Sequence, residues 1–556
     1  MARRSMRSVA IRPRKDRNLQ THVVAPIKGL NTVSAITETD PAFGLSIQNF
    51  VATPQGLSLR KGYRKWATGM PDAVTTLIPY HTGDTSPSGN FAISGGNLYD
   101  VTNPGPVGAP LVTGLALQQG WWQHANMTHT TNGKHYLVAV NGVDAPLFYD
   151  GTTWTRCTQV ASPSAPGQFA LTDNNGAAVN LNDFIDITQH QQRLWFVRKN
   201  STKAYYTDIG QAAGALYAFD FGAFFPRGGA LHKLAIWTTD TGSASGSQSL
   251  LVAISTRGDV AIYMGNNPAS ASSWSLSYQY QIGAPVGRRC TCQLTGDLMI
   301  LSQDGLYPLS KYVMSDRVNE TAALTYTIAP TISDLVGTFA DRPGFEMIIY
   351  PGLNAMLLNV PQYNANNNFQ FCFHTITNGW TQLTNMPAHC WSLFNDSMFF
   401  GAYGTVYLSF IGYYDDANFD GTGGQTVVGN ALTAFNHFDQ VPGLGRGVQK
   451  QVKMVKPYIV SGALNPSVKV GVNVDFNMTQ LLGTAAAQPS NGGVWDASLW
   501  DAPSSYWAGA LTTYNQWVTV SAYPGEAIAL AVSISSTSDI LWTGTNFLIE
   551  PGSQIS

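Results

Sequence analysis

The sequence predicts an all-β protein whose largest part is a β-propeller. Short apolar segments alternate with Gly, Asn, Asp and Pro, and helical periodicity is almost absent. Charged residues make up 12% of the 556 residues, about half of the roughly 25% that ordinary soluble domains contain. A chain of this length exceeds a single hydrophobic core, so we expect at least one smaller domain beside the large one.

Internal repeats favour a propeller among the many-stranded architectures. A turn followed by an aromatic strand recurs at Gly96–Tyr99, Gly258–Tyr263, Gly305–Tyr307 and Gly404–Tyr407, and a strand ending in Trp-Thr-x-x-Thr recurs at Phe148–Thr158 and Phe373–Thr384. A period of ~40–50 residues is typical of propeller blades, which stack radially because a lone four-stranded sheet cannot bury both faces. The repeats predict roughly six to eight blades within residues 75–412. A set of unrelated antiparallel sheets with common turn chemistry is the alternative.

The strand candidates of this region lie between turn signals. They are Phe91–Ser94, Tyr136–Val140, Leu194–Arg198, Leu250–Ser255, Leu298–Ser302, Glu346–Tyr350, Ala355–Val360 and Ser397–Phe400. Residues 413–445 are rich in turn formers and are predicted to be a linker. Strands resume within residues 446–556 at Lys450–Val460, Val468–Phe476, Trp517–Ser521 and Ile528–Ser535, which predicts a small β-sandwich or platform.

The N-terminal arm, residues 1–20, is strongly basic. Its basic side chains are Arg3, Arg4, Arg7, Arg12, Arg14, Lys15 and Arg17, against the single acid Asp16. Because the whole chain carries −2, the part after residue 17 carries −8 and lacks the basic face of a duplex-binding protein. We expect the arm to dock on an acidic protein or on phosphate groups of DNA, and a solvated tail is the alternative.

The five cysteines are few, scattered and odd in number, which disfavours a disulfide framework. Only Cys290 and Cys292 lie close together, and alternate strand positions point both thiols to one face. No second pair has metal-ligand spacing, so no zinc site is predicted. No apolar run approaches the roughly 20 residues of a membrane helix, and no signal peptide is recognisable. We therefore expect a soluble protein that assembles in a reducing compartment.

Two loop segments are candidates for binding. Trp495, Trp500 and Trp507 lie in one loop, where they could either contact another chain or fold back on their own sheet. Asp416, Asn418 and Asp420 repeat the first half of a calcium loop, but Val427 occupies the position of its bidentate Glu. We predict an Asx turn there and no metal site.

No catalytic motif is present in the sequence. It contains no His-Glu-x-x-His, no phosphate-binding loop and no Gly-x-Ser-x-Gly, because Ala244 occupies the centre of the nearest candidate. The Asp150-Gly151 turn has part of a sialidase Asp box but lacks its Ser and its spacing. We therefore predict no catalytic residue, no cofactor and no enzymatic activity.

Short motifs near both ends follow one another in a characteristic order. They are Val24–Ser34, Ala42–Phe50 and Gly56–Tyr63, followed in the C-terminal half by the basic strand Arg446–Lys456 and the Trp-Asp pairs at Trp495 and Trp500. Together they resemble the tail nozzle proteins of podoviruses, of the tail tubular protein B type. The resemblance implies a platform built jointly by residues 21–74 and 446–556.

A structural role in a bacteriophage tail follows from this resemblance. It implies a homo-oligomer, hexameric in similar proteins, that lies in the virion tail after assembly in the bacterial cytoplasm. Its neighbours would be the tail adaptor or head-to-tail connector ring and the tail fibres or spikes, without membrane insertion. Its channel would retain viral DNA until ejection, and an acidic wall suits the passage of phosphate.

Specific residues receive roles on this interpretation. Arg60 and Tyr63 in the platform, with Trp495, Trp500 and Trp507, are the candidate interface residues, and the basic arm contacts a neighbouring protein or packaged DNA. One alternative is a receptor-binding or glycan-binding or glycan-cleaving tail protein. The other is a kelch-like cellular interaction module.

Overall fold

The computed structural model describes residues 18–82, 88–117, 121–130, 132–240, 247–313, 323–462, 466–479, 483–484 and 512–554. Strands dominate these residues, as predicted. The seven basic residues of the arm, from Arg3 to Arg17, lie outside the described residues, and so do Trp495, Trp500 and Trp507. Among the described residues, no helix is long and apolar enough to cross a membrane.

The chain begins with platform strands and one long strand that enters the propeller. In chain order these are β1 (Leu19–Val24), β2 (Gly44–Gln48), β3 (Phe50–Thr53), β4 (Gly56–Leu59) and β5 (Tyr63–Tyr80).

Across the described residues, the middle of the chain forms seven consecutive groups of paired strands, which we call blades one to seven; blades one and seven share the long strand β5. Blade one contains the second half of β5 with β6 (Gly89–Ser94) and β7 (Asn97–Asp100), beside the short β8 (Gly105–Pro106). Blade two contains β9 (Gln123–Thr128), β10 (His135–Val140), β11 (Leu147–Tyr149) and β12 (Trp154–Arg156). Blade three contains β13 (Thr158–Val160), β14 (Gln168–Asp173), β15 (Phe184–His190), β16 (Arg193–Arg198), β17 (Lys203–Tyr206) and β18 (Gly214–Asp220). Blade four contains β19 (Leu231–Asp240), β20 (Ser247–Ser255), β21 (Asp259–Gly265) and β22 (Trp274–Gln281).

The later blades follow the same order, with two helices inserted after blade five. Blade five contains β23 (Thr291–Leu294), β24 (Asp297–Ser302) and β25 (Gly305–Pro308), followed by α1 (Leu309–Val313) and α2 (Ala329–Phe339). Blade six contains β26 (Glu346–Tyr350), β27 (Ala355–Val360), β28 (Phe369–His374) and β29 (Trp380–Leu383). Blade seven contains β30 (Cys390–Phe394), β31 (Ser397–Gly401), β32 (Tyr403–Ser409) and the first half of β5. Short 3-10 helices span Leu181–Asp183, Gly222–Phe224, Tyr326–Ile328, Pro351–Leu353 and Ala365–Asn367.

Alternating side chains bury both faces of each blade. In β10, Tyr136 and Val138 belong to a core shared with blade three, whereas Leu137 and Ala139 belong to a core shared with blade one. The same sharing joins each blade to the next, and the last such core joins blade seven to blade one. The sheets therefore form a closed ring, which confirms the predicted β-propeller.

Strand β5 closes this ring by hydrogen bonding. Its residues 63–73 pair with β32 as the outer strand of blade seven, and its residues 74–80 pair with β6 as the inner strand of blade one. The propeller therefore begins at Tyr63, before the predicted start at residue 75.

The two ends of the chain together build a β-sandwich, as predicted. The remaining strands are β33 (Tyr414–Asp415), β34 (Gln425–Thr426), β35 (Val428–Thr433), β36 (Val448–Ser461), β37 (Ser467–Val474), β38 (Gly483–Thr484), β39 (Thr512–Tyr514), β40 (Val518–Thr519), β41 (Ile528–Ser535) and β42 (Ile540–Gln554). One sheet contains β36 and β42 together with β1, β3 and β4, and the other contains β2, β35, β41 and β37. Val455 and Trp542 of the first sheet share a core with Val470 and Val532 of the second.

Residues 413–445 are more integrated than the predicted linker. Strand β35 pairs with β2 on one side and with β41 on the other, so this segment contributes a central strand of the sandwich. The turn-forming residues before Val427 hide this strand in the sequence. Ala431 and Leu432 are buried there, on opposite faces of the sheet.

The sandwich is joined directly to blade six. Gln48 in β2 pairs with Gln382 in β29, so one continuous sheet runs from the blade into the sandwich. Gly29 forms a further bridge to Trp380. Its φ is +79°, and a Cβ at this position would lie 2.4 Å from the backbone nitrogen of Trp380. Only glycine therefore fits this junction.

We expect Gly29→Ala to detach the sandwich from blade six and to lower the thermal unfolding midpoint. Gly412→Ala is the matched control, because Gly412 has φ +65° but no heavy atom within 4 Å of the added Cβ. The control carries only the strain of the left-handed backbone, about 1 kcal/mol. Scanning calorimetry of both variants tests the assignment, and equal losses in the two would contradict it.

Candidate functional site

Polar side chains from several blades converge at one mouth of the propeller channel. The innermost strand of blade three is β15, and in the other blades it is the first strand. Innermost strands of neighbouring blades contact one another around the axis, as in β9 with β15, β15 with β19, β23 with β26 and β26 with β30. These strands enter the ring from the same side, so the residues at their N-terminal ends meet. We call this group the channel mouth, defined by Thr76, Asp186, Lys233, Arg288, Arg289 and Glu346.

Arg289 crosses the channel mouth. Its guanidinium donates to Glu346 Oε2 of blade six (3.1 Å), to Thr76 Oγ1 of blade one (3.2 Å) and to the Trp122 carbonyl of blade two (3.1 Å). Glu346 Oε2 also accepts from the backbone N–H of Trp391 in blade seven (3.0 Å). Burial raises the pKa of the Glu346 carboxyl, and Arg289 opposes that rise. One ion pair thus connects five blades across the axis.

A second ion pair lies between blades three and four. Asp186 is 1% exposed and accepts from Lys233 Nζ (3.3 Å) and from the backbone N–H of Leu234 (3.3 Å). Burial lowers the pKa of the nearby Arg288, whose charge Asp186 partly compensates. The mouth therefore holds three cations against two carboxylates in a partly desolvated setting.

Two histidines beside these charges are held neutral. Burial, with the positive charges of Arg289 and Lys233 nearby, lowers the pKa of His124 to about 3. Burial likewise lowers the pKa of His232 to about 4, and its Nε2–H donates to the Gly287 carbonyl (2.9 Å). Their charged forms would add to an existing excess of positive charge.

The structure corrects the role predicted for Arg60. Its side chain is fully buried and donates to Asn49 Oδ1 (2.9 Å), to the Thr384 carbonyl (2.8 Å) and to both oxygens of Asp415 (2.7 and 2.6 Å). These partners belong to the platform, to blade six and to the segment after blade seven. Arg60 therefore links three segments of its own chain, an arrangement we call the internal tie. Its buried side chain cannot contact a neighbouring subunit.

Tyr63 is likewise internal. It is 5% exposed, its hydroxyl donates to the Asn385 carbonyl (2.9 Å), and its ring packs edge-on against Phe400 and Tyr407. Tyr63 begins the propeller strand β5 and so lies outside the platform in which it was predicted. The predicted contact of Arg60 and Tyr63 with another chain is wrong because burial excludes it.

The calcium-like segment is held by protein groups. Asp416 accepts from the Tyr407 hydroxyl (3.0 Å), and Asp420 accepts from the backbone N–H and the hydroxyl of Thr422 (2.9 and 2.7 Å). The bond from the Thr422 backbone N–H forms the predicted Asx turn. Within the described residues, no group of three His, Cys, Asp or Glu side chains is placed to hold a metal ion.

All five cysteines are described and unbonded to one another. Cys290 and Cys292 both pack against the core shared by blades five and six, which confirms that they face the same side.

The channel mouth was not predicted from the sequence. Its residues come from blades one, three, four, five and six and are far apart in the chain, so only the ring brings them together. One signal was available: charged residues stand where inner strands begin, as in Arg288-Arg289 before β23 and Glu346 at the start of β26.

Comparison with known proteins yields structural similarity only. No family model and no curated protein matches this chain. YCF48 from Cyanidioschyzon merolae is 12% identical over 63% of this chain and 98% of its own, with a TM-score of 0.33. The β-propeller domain of Cps50 (Swd1) from Myceliophteria thermophila is 11% identical over 63% of this chain and 99% of its own, with a TM-score of 0.34. The propeller assignment follows from the sheet order and shared cores of this chain itself.

We expect Arg60→Leu to destabilise the protein strongly, because it leaves Asp415 buried without its partner. Removing one partner of a buried pair costs about 3–5 kcal/mol. Lys28→Ala is the control, because it breaks the exposed pair with Asp40 and costs at most about 1 kcal/mol. Denaturant unfolding measures both, and a loss in Arg60→Leu no larger than in the control would refute the internal tie.

The histidines at the mouth predict a pH dependence of stability. Their pKa values are lower in the folded chain than the ordinary 6.5, so the unfolded chain binds more protons between pH 6.5 and about 3 to 4. Stability should therefore fall as pH decreases through this window.

The variant His124→Gln combined with His232→Gln should lose less stability between pH 7 and pH 4 than the wild type. The single variant His124→Gln should lie between the wild type and the double variant. Thermal midpoints measured across this range decide the matter, and identical curves for all three proteins would count against the assignment.

Proposed function

We propose that this chain is a structural subunit of a bacteriophage tail nozzle, which forms a ring that retains packaged DNA and conducts it during ejection. The observation that carries this proposal is where the motifs of the resemblance lie in the fold. Leu57 of the N-terminal motif in β4 pairs with Trp542 in β42, and β42 pairs with the basic strand β36. Segments from opposite ends of the chain thus form one body beside the propeller.

The architecture suits a building block that acts through rigid surfaces. The sandwich is continuous with blade six, and Arg60 connects it to the last blades. A mechanical force on the platform is therefore transmitted to the propeller through hydrogen bonds and buried contacts. A ring assembled from such subunits keeps its shape without moving parts inside each subunit.

The propeller axis itself is unsuited to conducting DNA. Arg289 reaches from blade five to blades one, two and six, so side chains fill the mouth. In the proposed assembly the conduit therefore lies between subunits, around the symmetry axis of the ring. The excess of acidic residues after residue 17 favours release of the phosphate backbone over its retention.

The experiment uses virus particles that are assembled without this protein. We expect heads that fill and then lose their DNA, together with a shortened tail. Nuclease protection measures the retained DNA, and electron microscopy measures the tail. Supplying the wild-type chain in trans should restore both properties.

Particles without a structural part other than the nozzle provide the comparison. Particles that lack only a fibre or spike should keep their DNA and fail to adsorb. If particles without this chain behave in that way, the nozzle proposal fails and a receptor-binding or glycan-binding role replaces it.

A further inference from the structure

A cavity of about 330 Å³ opens at the channel mouth. It is lined by Trp121, Gln123 and Asn141 of blade two, by residues 287–289 before blade five, and by residues 340–345 between α2 and blade six. The cavity therefore lies where inner strands of separate blades begin. Its lining combines aromatic surface with several side-chain hydrogen-bond donors.

Two of these donors lack a partner among the described residues. Gln123 is 9% exposed, and its Nε2 makes no hydrogen bond. Nη1 of Arg288 is also buried and makes no hydrogen bond. A buried donor left unpaired costs about 1–3 kcal/mol. Both side chains line the same cavity.

The cavity also carries uncompensated positive charge. Arg288, Arg289 and Arg342 line it, and Asp341 is its one acidic lining residue. Glu346 neutralises Arg289 through their ion pair. The guanidinium carbon of Arg342 lies 4.2 Å from the centre of the Tyr363 ring. Arg288 has no salt-bridge partner within the described part of the chain. The lining, together with Glu346 and the neighbouring Asp186–Lys233 pair, leaves an excess of one positive charge.

We propose that this cavity binds a carboxylate, whose oxygens accept hydrogen bonds from Arg288 and from the Gln123 amide. A carboxylate matches the single excess charge, and it is a planar acceptor that a guanidinium and an amide can reach together. Trp121 and Phe345 supply apolar walls for the carbon atoms attached to it. A free small carboxylic acid and an acidic side chain of another protein share this chemistry.

The test uses the purified full-length chain and four probes at constant ionic strength: acetate, a glutamate capped at both ends, the matching capped glutamine, and inorganic phosphate. Isothermal titration calorimetry measures their binding. We expect the capped glutamate to bind and the capped glutamine not to bind. Acetate that binds as tightly indicates a free acid as the ligand, whereas binding by capped glutamate alone indicates a protein side chain.

Gln123→Leu separates ligand binding from a structural role. It should weaken carboxylate binding by about tenfold, which corresponds to one hydrogen bond to a charged group. It should not lower the unfolding midpoint of the ligand-free protein, because it removes an unpaired donor. Arg288→Gln should weaken binding further, and the exposed Arg257→Gln should have no effect on it.

Three results would overturn the proposal. The first is phosphate binding as tight as that of carboxylate, and the second is carboxylate binding that both cavity variants leave unchanged. The third is a lower unfolding midpoint in Gln123→Leu without loss of binding. None of these outcomes depends on the nozzle assignment, because the measurements use the isolated chain.

Discussion

A sheet that is apolar on both faces needs a neighbour on each side, and this constraint organises the whole chain. In a row of blades the two terminal sheets would each leave one face in water. Closing the row into a ring buries both of these faces, because blade seven and blade one share a core that contains Val74, Ala92 and Phe399. Strand β5 then fixes the closure with backbone hydrogen bonds to both blades. The platform depends on the same strand, since β4 leads directly into it through Arg60.

Arg60 illustrates how this junction is held. A guanidinium without exposure is costly to desolvate, and it is tolerated only where its donors all find acceptors. Asp415 provides the charge, Asn49 and Thr384 provide acceptors from two other segments, and the adjacent Lys61 carbonyl provides one more. The geometry requires that all three segments lie in one arrangement, so the residue specifies the orientation of the platform on the ring. Burial raises the pKa of the Asp415 carboxyl despite this pairing, which reflects the cost of desolvation.

Local patterns were sufficient to predict most of the fold. The turns before Tyr99, Tyr263, Tyr307 and Tyr407 each stand at the start of the third strand of a blade, so this repeat in the sequence marks one structural position. The same local reasoning missed β35, because a run of turn formers precedes it. It also placed Arg60 on a surface, since burial of an arginine depends on partners more than 300 residues away, such as Asp415. The channel mouth could not be predicted either, because its residues also lie far apart in the chain.

The ring also explains why charge collects at its mouth. Inner strands converge on the axis, so the polar residues that begin them are brought within hydrogen-bond distance whatever their separation in the chain. Once Arg289 spans the axis and pairs with Glu346, the channel is closed to anything large, and the adjoining cavity is left with the unpaired donors of Gln123 and Arg288. The closed axis therefore adjoins the proposed site for a small group. Assembly surfaces and small-ligand recognition can in this way occupy different parts of one rigid subunit.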